Sequence, residues 1–197
     1  MNQLYRRFLK PFFDITVAAV MVFLFFPLLL LLYILVKVDS KGGFFFFQQR
    51  LGKDGKLIKV IKIRTMTEIP RESYQEILKG NEEVTRVGKI LRRLKIDELP
   101  QLINILKGEM SFVGPRPCLP ELQNEFDSNG MKRIMVQPGL TGLAQINGNI
   151  YLTWDMRWKY DAYYVENLSF LLDFKILIKT VLIIFFGEEK YLKKSDV

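Results

Sequence analysis

An uncharged apolar stretch near the N-terminus, ITVAAVMVFLFFPLLLLLYILV at 15–36, constrains the fold of this chain more than any other feature. As an α-helix rising ~1.5 Å per residue, it would be about 33 Å long. That length is close to the ~30 Å thickness of the hydrocarbon core of a bilayer. The run is too long for the apolar part of a secretory signal, and no small-residue cleavage site follows it. The stretch therefore predicts a membrane helix.

Two features favour a re-entrant path for this helix, with both ends on one side of the membrane. Basic residues flank the stretch on both sides, at Arg6, Arg7 and Lys10 and at Lys37 and Lys41. The positive-inside rule then places both ends at the cytoplasmic face. Pro27 removes one backbone hydrogen bond in the middle, which predicts a helix-break-helix. A single spanning helix is the alternative.

The re-entrant path places Asp14 at the level of the lipid headgroups, next to Lys10. Asp14 would then be a helix N-terminal charge, or it would hold Lys10 near lipid phosphates. Lys10, Asp14 and Pro27 are therefore the predicted membrane-anchor residues. We expect residues 1–40 to form the membrane part of the chain and residues 41–197 a separate cytoplasmic domain.

Composition limits the chemistry of the domain. The chain is 49% hydrophobic and carries a net charge of +8, which predicts an anionic partner such as nucleic acid, anionic lipid or a phosphorylated substrate. The single cysteine, Cys118, excludes a disulfide within the chain. The absence of histidine excludes histidine bases, Ser-His triads and histidine metal ligands. Acid–base chemistry is left to Asp, Glu, Lys or Tyr.

The predicted fold class is α/β, mostly helical with a small β-hairpin and with amphipathic interfacial helices. The segments FFFFQQR and KLIKVIKIR, of which the second alternates at Ile58, Lys59 and Val60, are separated by GKDGK and predict a hairpin over residues 44–64 with a basic rim. An amphipathic helix is expected over residues 85–95, with Thr85 as its N-cap. The glycine-rich stretch 138–149 is expected to be a loop near the site. The apolar C-terminal helix predicts an interfacial position, with Asp173, Lys175 and Lys179 at the water side, and a buried core helix is the alternative for its first half.

Two adjacent acids, Asp97 and Glu98, stand in the stretch KIDELPQLINILKGEMSFVGPRP at 95–117. In the simplest interpretation Asp97 caps the helix that follows, since Pro100 is tolerated in a first turn, and Glu98 complements the helix dipole. Successive helical residues point about 100° apart, so both acids cannot cap. They could instead face one substrate from two directions, or one could bind a metal while the other manages protons.

An arginine held between two prolines follows the acids. Gly114-Pro115-Arg116-Pro117 is a rigid turn that presents a guanidinium at little entropic cost, which suits bidentate contact with a phosphate. A carboxylate that attacks a diphosphate needs such cations, and Mg²⁺, to offset the repulsion between negative groups. Asp97 and Glu98 among nearby cations therefore allow two interpretations, simple ion pairing and a site for phosphate chemistry.

Nearly the whole chain, about residues 8–182, resembles the small monotopic phosphoglycosyl transferases of the bacterial sugar transferase family. The resemblance lies in LKPFFDI, QQRLGKDGK, KIRTM, TRVGKILRRLKIDELPQLINILKGEMSFVGPRP, PGLTGLAQINGN and KYDAYYVENLSFLLDFKIL. It implies transfer of a sugar phosphate from a UDP-sugar to a polyprenyl phosphate, with UMP as the other product. It also implies a monotopic protein at the cytoplasmic face of the bacterial inner membrane, in contact with membrane lipid.

The resemblance also implies roles for individual residues. Asp97 would attack the β-phosphorus, bind Mg²⁺ and carry a covalent sugar phosphate, while Glu98 would assist proton transfer or activate the lipid phosphate. The phosphate-binding cations would be Lys62, Arg92 and Arg116. Asp161 would orient a cation or join the Mg²⁺ shell, and Pro115 and Pro117 would hold their arginine near the nucleotide. The chain departs from the family at Phe26-Pro27, where the family has Ser-Pro, and at Lys10-Pro11, where it has Lys-Arg.

Two other classes of function were weighed against the transferase. A membrane-tethered module that binds nucleic acid or anionic lipid would account for the net charge, and a membrane scaffold would leave Asp97 as a cap only. The acids beside the arginines would repel a nucleic acid backbone unless Mg²⁺ intervened. The transferase without a nucleic acid partner is therefore the favoured interpretation.

Overall fold

The computed structural model describes residues 2–67 and 83–187. The architecture is mostly helical with a small β-hairpin, as predicted, and it also contains a second small sheet that was not predicted. A helical turn at Asn2–Leu4 and a π-helical stretch at Tyr5–Leu9 precede the first long helix. The α-helices are α1 Lys10–Asp39, α2 Arg86–Arg93, α3 Leu102–Leu106, α4 Ser128–Arg133, α5 Leu143–Ile146, α6 Trp154–Glu166 and α7 Phe170–Phe186. The strands are β1 Phe45–Leu51, β2 Leu57–Ile63, β3 Ser111–Val113 and β4 Gly139–Thr141.

The first helix is continuous through Pro27, so the predicted break is not seen. Tertiary packing holds the helix on both sides of the proline. Met21 and Val22 pack against the buried cluster around Leu102, and Leu28 and Leu29 pack against a second cluster around Phe44. A proline inside a helix costs ~3 kcal/mol, which this packing offsets. By length and composition, the helix Tyr5–Asp39 is able to cross a membrane.

The C-terminal end of α1 is fixed to the globular part. Arg64 is buried and donates hydrogen bonds to the carbonyls of Ser40 at 2.7 Å and Lys41 at 2.6 Å, which follow the helix. The Asp39 carboxylate accepts from the backbone N–H of Val87 at 2.9 Å, in the first turn of α2. These contacts tie α1, β2 and α2 together at one point. The basic helix α2 begins as predicted, with the Thr85 hydroxyl accepting from the N–H of Gly88.

The predicted hairpin over 44–64 is confirmed as an antiparallel pair of β1 and β2. On one face Arg50 lies opposite Ile58, and Phe46 lies opposite Lys62. The outer edge of β2 is covered by the fully buried Asn104 of α3. Its side chain accepts from the N–H of Ile61 at 3.3 Å and donates to the carbonyl of Lys59 at 2.9 Å. Asn104 therefore satisfies β2 much as a neighbouring strand would.

The second sheet pairs β3 with β4 in parallel. The prediction of a loop over 138–149 is therefore wrong, because this stretch contains β4 and α5. Its glycines serve close backbone packing. A Cβ on Gly139 would lie 2.1 Å from the backbone nitrogen of Gly114, and a Cβ on Gly114 would lie 2.4 Å from the carbonyl oxygen of Gln137. Only glycine lets these two segments meet.

The C-terminal helix α7 packs against the second sheet, and its acid is not at the water side as predicted. Asp173 is buried and accepts hydrogen bonds from Lys10, Tyr5 and Tyr164. A buried carboxylate needs such donors. Lys175 is exposed, and Lys179 is half-buried and donates to the side-chain oxygen of Asn147 at 3.2 Å.

Candidate active site

The two acids lie on a 3-10 helix, Ile96–Gln101, directly before α3. The chain enters this helix through Lys95, which has the left-handed backbone φ of 56°. The helix thus begins before Asp97, and no side chain caps its first turn. The interpretation of Asp97 as an N-cap is therefore wrong. Its carboxylate lies within the first turn and is available for another role.

Glu98 is held by two cations that meet at one of its oxygens. The Lys62 ammonium lies 2.8 Å from Oε1, and Nη2 of Arg116 lies 2.7 Å from the same atom. Burial alone would raise the pKa of Glu98, but the charges of Arg116 and Lys62 outweigh burial and hold the pKa well below its usual range. Glu98 is therefore ionised throughout the neutral range and acts as an acceptor.

Asp97 differs from Glu98 in having no direct partner among the residues that the structure describes. Within residues 2–67 and 83–187, no hydrogen-bond donor contacts its carboxylate, although only 8% of the residue is exposed. Burial and the neighbouring charge of Glu98 raise the pKa of Asp97 to about 6, against the opposing charges of Lys62, Lys95 and Arg92. At neutral pH the Asp97 carboxylate is thus mostly ionised, and none of the described residues donates a hydrogen bond to it.

The Gly-Pro-Arg-Pro turn is fixed through its backbone. Four consecutive carbonyls, of residues 115–118, each accept a hydrogen bond from a different part of the fold. The donors are the Gly139 N–H at 2.9 Å, Arg133 Nη2 at 2.7 Å, Arg50 Nη1 at 3.5 Å and the Leu51 N–H at 2.9 Å. With the backbone held, the side chain of Arg116 remains 43% exposed and reaches Glu98. The backbone contacts therefore fix the turn from which the Arg116 guanidinium reaches Glu98.

Asp161 does not meet the acid pair but orients a cation. It is 1% exposed on α6, and its Oδ2 lies 3.2 Å from Nε of the buried Arg133. Arg133 in turn donates to the carbonyl of Arg116. Burial raises the pKa of Asp161 to about 6 against the opposing charge of Arg133. Of the two roles predicted for Asp161, the geometry favours orienting a cation, here one that supports the turn.

Arg92 borders the site from α2. Its Nε donates to the hydroxyl of Thr65 at 2.8 Å, beside the end of β2. Its positive charge also lowers the pKa of Asp97. Arg92 therefore acts on Asp97 through charge, whereas Lys62 and Arg116 contact Glu98 directly.

A small cavity separates the hairpin from the Gly-Pro-Arg-Pro turn. Its polar lining includes three predicted residues, Lys62, Glu98 and Arg116, and also Arg50 and Gln101. The sequence analysis did not single out Arg50, Gln101 or Arg133 as site residues. The alternation of β1 could have placed Arg50 on the face of the hairpin that carries Lys62. Arg133 lies on a short helix with no pattern of its own, so no sequence signal indicated it.

The predicted anchor residues lie at the junction between α1 and the globular part. Lys10 is buried and its ammonium lies 2.6 Å from Asp173 and 3.9 Å from Asp14. Asp14 also accepts from the hydroxyl of Ser111, on β3, at 2.7 Å. In this arrangement Lys10 and Asp14 fasten α1 to the folded domain. Pro27 lies on the same helix, between two regions of packing.

The fold and the site together define a basic protein with a long apolar helix and a carboxylate pair among lysine and arginine side chains. Comparison with known proteins agrees with this class. Residues 5–187 match the family model described as bacterial sugar transferase. The chain belongs to the bacterial sugar transferase family, and it is a transferase.

Three relatives place the chain within this family. It is 40% identical over 173 residues to the uncharacterized sugar transferase EpsL of Bacillus subtilis, covering 88% of this chain and 85% of EpsL. It is 38% identical over 188 residues to the exopolysaccharide production protein ExoY of Rhizobium meliloti, covering 87% of this chain and 83% of ExoY. It is 41% identical over 187 residues to a UDP-glucose:undecaprenyl-phosphate glucose-1-phosphate transferase of Klebsiella pneumoniae, covering 90% of this chain and 40% of that longer protein.

Proposed function

We propose that this chain transfers a sugar phosphate from a UDP-sugar to a polyprenyl phosphate, giving a polyprenyl-diphosphate-sugar and UMP. One contrast supports the proposal most strongly. Asp97 has a near-neutral pKa and no hydrogen bond from the described residues, whereas Glu98 is ionised and bound by two cations. The Asp97 carboxylate is therefore suited to attack a phosphorus atom, and the Glu98 carboxylate is suited to hold cations in place. The name of the Klebsiella relative, which specifies a UDP-sugar and undecaprenyl phosphate, supports the same reaction.

The first step is displacement at the β-phosphorus of the UDP-sugar. An oxygen of Asp97 bonds to that phosphorus, the bond from the phosphorus to the bridging oxygen breaks, and UMP leaves with the electron pair. The sugar phosphate remains attached to Asp97 as an acyl phosphate. In the second step an oxygen of the polyprenyl phosphate attacks the same phosphorus. The bond to Asp97 breaks, and the free carboxylate returns.

Lys62 and Arg116 offset the negative charge that gathers when the anionic Asp97 approaches a diphosphate. In the structure both bind Glu98, which keeps their charges beside the cavity before a substrate arrives. Arg92 adds a third positive charge near Asp97. Because the ionised Glu98 has no proton to give and its pKa lies well below its usual range, we assign it the role of an acceptor that organises these cations beside the incoming lipid phosphate.

Mg²⁺ fits this site only as an ion shared with the substrate. No group of three or more acidic, histidine or cysteine side chains that could hold a metal occurs among residues 2–67 and 83–187. Mg²⁺ is commonly held by one or two carboxylates together with substrate phosphates and water, and Asp97 offers a carboxylate without a competing hydrogen bond. Asp97 would hold the ion, which would supply further neutralisation of the diphosphate.

We further propose that the chain is monotopic and lies at the cytoplasmic face of the membrane. Lys10 at one end of α1 contacts Asp173, and the carbonyl of Ser40 past the other end contacts Arg64. These ends are separated by 30 helical residues, or about 45 Å, yet both join the same folded domain. That arrangement supports a helix with both ends on one side, and a re-entrant bend at Pro27 would complete it in lipid.

The proposal is tested by UMP release. Membranes containing the chain are incubated with Mg²⁺, polyprenyl phosphate and each of a panel of UDP-sugars. We expect UMP from at least one sugar nucleotide, and its loss in Asp97→Asn. The control is Asp54→Asn in the exposed turn of the hairpin, which should retain activity. A module that only binds phosphates releases no UMP, and a scaffold is unaffected by either substitution.

A further inference from the structure

Arg50 is a third cation at the cavity beside Glu98, and it comes from β1, which contributes no other charged residue there. Lys62 reaches the cavity from β2 and Arg116 from the Gly-Pro-Arg-Pro turn. The three cations thus approach one space from three segments. Because Lys62 and Arg116 already share one oxygen of Glu98, Arg50 differs from them in its surroundings.

The guanidinium of Arg50 is oriented by neutral oxygens. Its Nη2 and Nε donate to the side-chain oxygen of Gln48 at 2.6 and 3.2 Å, and its Nη1 donates to the carbonyl of Pro117 at 3.5 Å. Gln48 and Arg50 are two residues apart on β1 and lie on the same face. These acceptors are neutral oxygens of described residues, and together they fix the direction of the guanidinium. The arrangement therefore presents a positioned positive charge at the cavity.

The position of Arg50 along the hairpin separates it from the apolar end. The strand β1 begins with Phe45, Phe46 and Phe47, which are all exposed. Phe46 lies opposite Lys62, whereas Arg50 lies opposite Ile58 near the turn. Four residues of strand correspond to roughly 13 Å. Lys62 therefore stands beside the exposed aromatic side chains, and Arg50 stands at the far, polar end of the same face.

We propose that Arg50, oriented by Gln48, binds the phosphate of the nucleotide half of the donor, the group that leaves as a nucleoside monophosphate. The inference rests on the proposed function. A lipid phosphate arrives from the apolar end, where Lys62 stands beside Phe46, while a water-soluble nucleotide arrives from the polar end. The hairpin face provides cations at both ends, Lys62 at the apolar end and Arg50 at the polar end, where the nucleotide phosphate would depart. Arg50 forms no covalent bond and offsets charge on the departing phosphate.

The test compares the two substrates in one set of variants. Arg50→Gln should raise the KM for the UDP-sugar and the inhibition constant of UMP by about 10- to 100-fold, the range expected for losing a charge-assisted hydrogen bond. The KM for polyprenyl phosphate should not change. Arg50→Lys keeps the positive charge but lacks the planar pair of N–H donors of a guanidinium, and it should have an intermediate effect. Gln48→Leu should weaken UMP binding in the same direction, because it frees the guanidinium from its fixed orientation.

The matched control is Lys59→Gln on β2. Lys59 belongs to the same hairpin, is exposed, and lies over the ring of Phe47 at 4.7 Å, so all kinetic constants should stay as in the unsubstituted chain. Unchanged UMP inhibition in both Arg50 variants, or an equal loss for both substrates, would overturn the inference. If the unsubstituted chain releases no UMP from any UDP-sugar, the proposed function itself fails, and the two failures are thereby distinguished.

Discussion

The ammonium of Lys10, at the start of the first helix, lies 2.6 Å from the Asp173 carboxylate on the C-terminal helix. The hydroxyl of Tyr5 donates to the same carboxylate oxygen at 2.8 Å. Tyr164 donates to the other oxygen at 2.8 Å, and its hydroxyl also lies 2.9 Å from the carbonyl of Val113. Since Val113 directly precedes the Gly-Pro-Arg-Pro turn, this buried network links the long apolar helix α1 to the segment that carries Arg116.

Breaking the Lys10–Asp173 pair should destabilise the fold. Asp173→Leu leaves the Lys10 ammonium buried without its partner, which typically costs about 3–5 kcal/mol. For a chain of this size, we expect the midpoint of thermal unfolding to fall by about 6–20 °C. Thermal unfolding in detergent micelles or nanodiscs measures the change.

The double variant Lys10→Met with Asp173→Leu should recover part of that loss, because the buried ammonium is then removed together with the carboxylate that binds it at 2.6 Å. Lys175→Gln, on the exposed part of the same helix, is the control and should leave the midpoint unchanged. A double variant as unstable as Asp173→Leu would show that the ion pair is not the reason for the loss.

The rate of the first half-reaction should depend on pH through Asp97. With the pKa of Asp97 raised to about 6, the fraction of ionised nucleophile falls about tenfold per pH unit below that value. The rate of UMP release in a single turnover should therefore rise up to about pH 6 and level off above it. The pKa of Glu98 lies well below its usual range, so Glu98 stays ionised across this window.

Removing the Lys62 charge should shift that pH profile. The ammonium lowers the pKa of Asp97, so Lys62→Met should move the midpoint of the profile to higher pH in addition to slowing the reaction. Lys59→Met, on the opposite face of the hairpin, should leave the midpoint in place. A midpoint that does not move in Lys62→Met would assign the profile to a group other than Asp97.

Asp97 should reduce the stability of the fold at neutral pH. Its pKa rises from 3.8 to about 6 on folding, so between these values the folded chain binds more protons than the unfolded chain. Stability is therefore lost as pH rises through this window. Asp97→Asn cannot ionise and should be more stable than the natural chain by roughly 1–3 kcal/mol at pH 7.5.

That stability difference should vanish near pH 4, where the natural carboxyl is protonated. Thermal unfolding at the two pH values measures it, and Asp54→Asn in the exposed turn should show no difference at either. If Asp97→Asn proved less stable at pH 7.5, Asp97 would hold the fold together instead of being retained for chemistry.

Close packing at Gly139 should be indispensable for the active-site turn. An added Cβ would lie 2.1 Å from the backbone nitrogen of Gly114, so Gly139→Ala must separate β3 from β4 and displace the hydrogen bond from its N–H to Pro115. We expect loss of UMP release together with a lower unfolding midpoint. Gly43→Ala, where the added Cβ meets its nearest atom at 3.6 Å, should change neither. Retained activity in Gly139→Ala would contradict a rigid turn.

Local patterns predicted the parts of the fold that local forces determine. Alternation around a turn gave the β1–β2 hairpin, a hydroxyl before an amphipathic run gave the Thr85 cap, and a two-proline turn gave the position of Arg116. The resemblance to a known family drew attention to Asp97 and Glu98 as a pair. Their contrasting electrostatic surroundings became apparent only in three dimensions, because Lys62 is distant in sequence.

The features that were not predicted depend on contacts between distant segments. A proline inside an apolar run indicated a break at Pro27, but packing on both sides keeps the helix continuous. The charge of Asp173 within an apolar helix predicted that this side chain faces water. In the structure it accepts hydrogen bonds from Tyr5, Lys10 and Tyr164 instead. No local pattern reveals a partner more than a hundred residues away. The roles of Lys10 and Asp173 therefore had to be read from the structure.

The most direct test of the account is the intact mass of the chain after incubation with a UDP-sugar and Mg²⁺ but no polyprenyl phosphate, followed by an acid quench. We predict a mass increase equal to one sugar phosphate, localised to Asp97 by peptide mapping and discharged when polyprenyl phosphate is added. UMP release without any adduct, an adduct on another residue, or full turnover by Asp97→Asn would contradict the account.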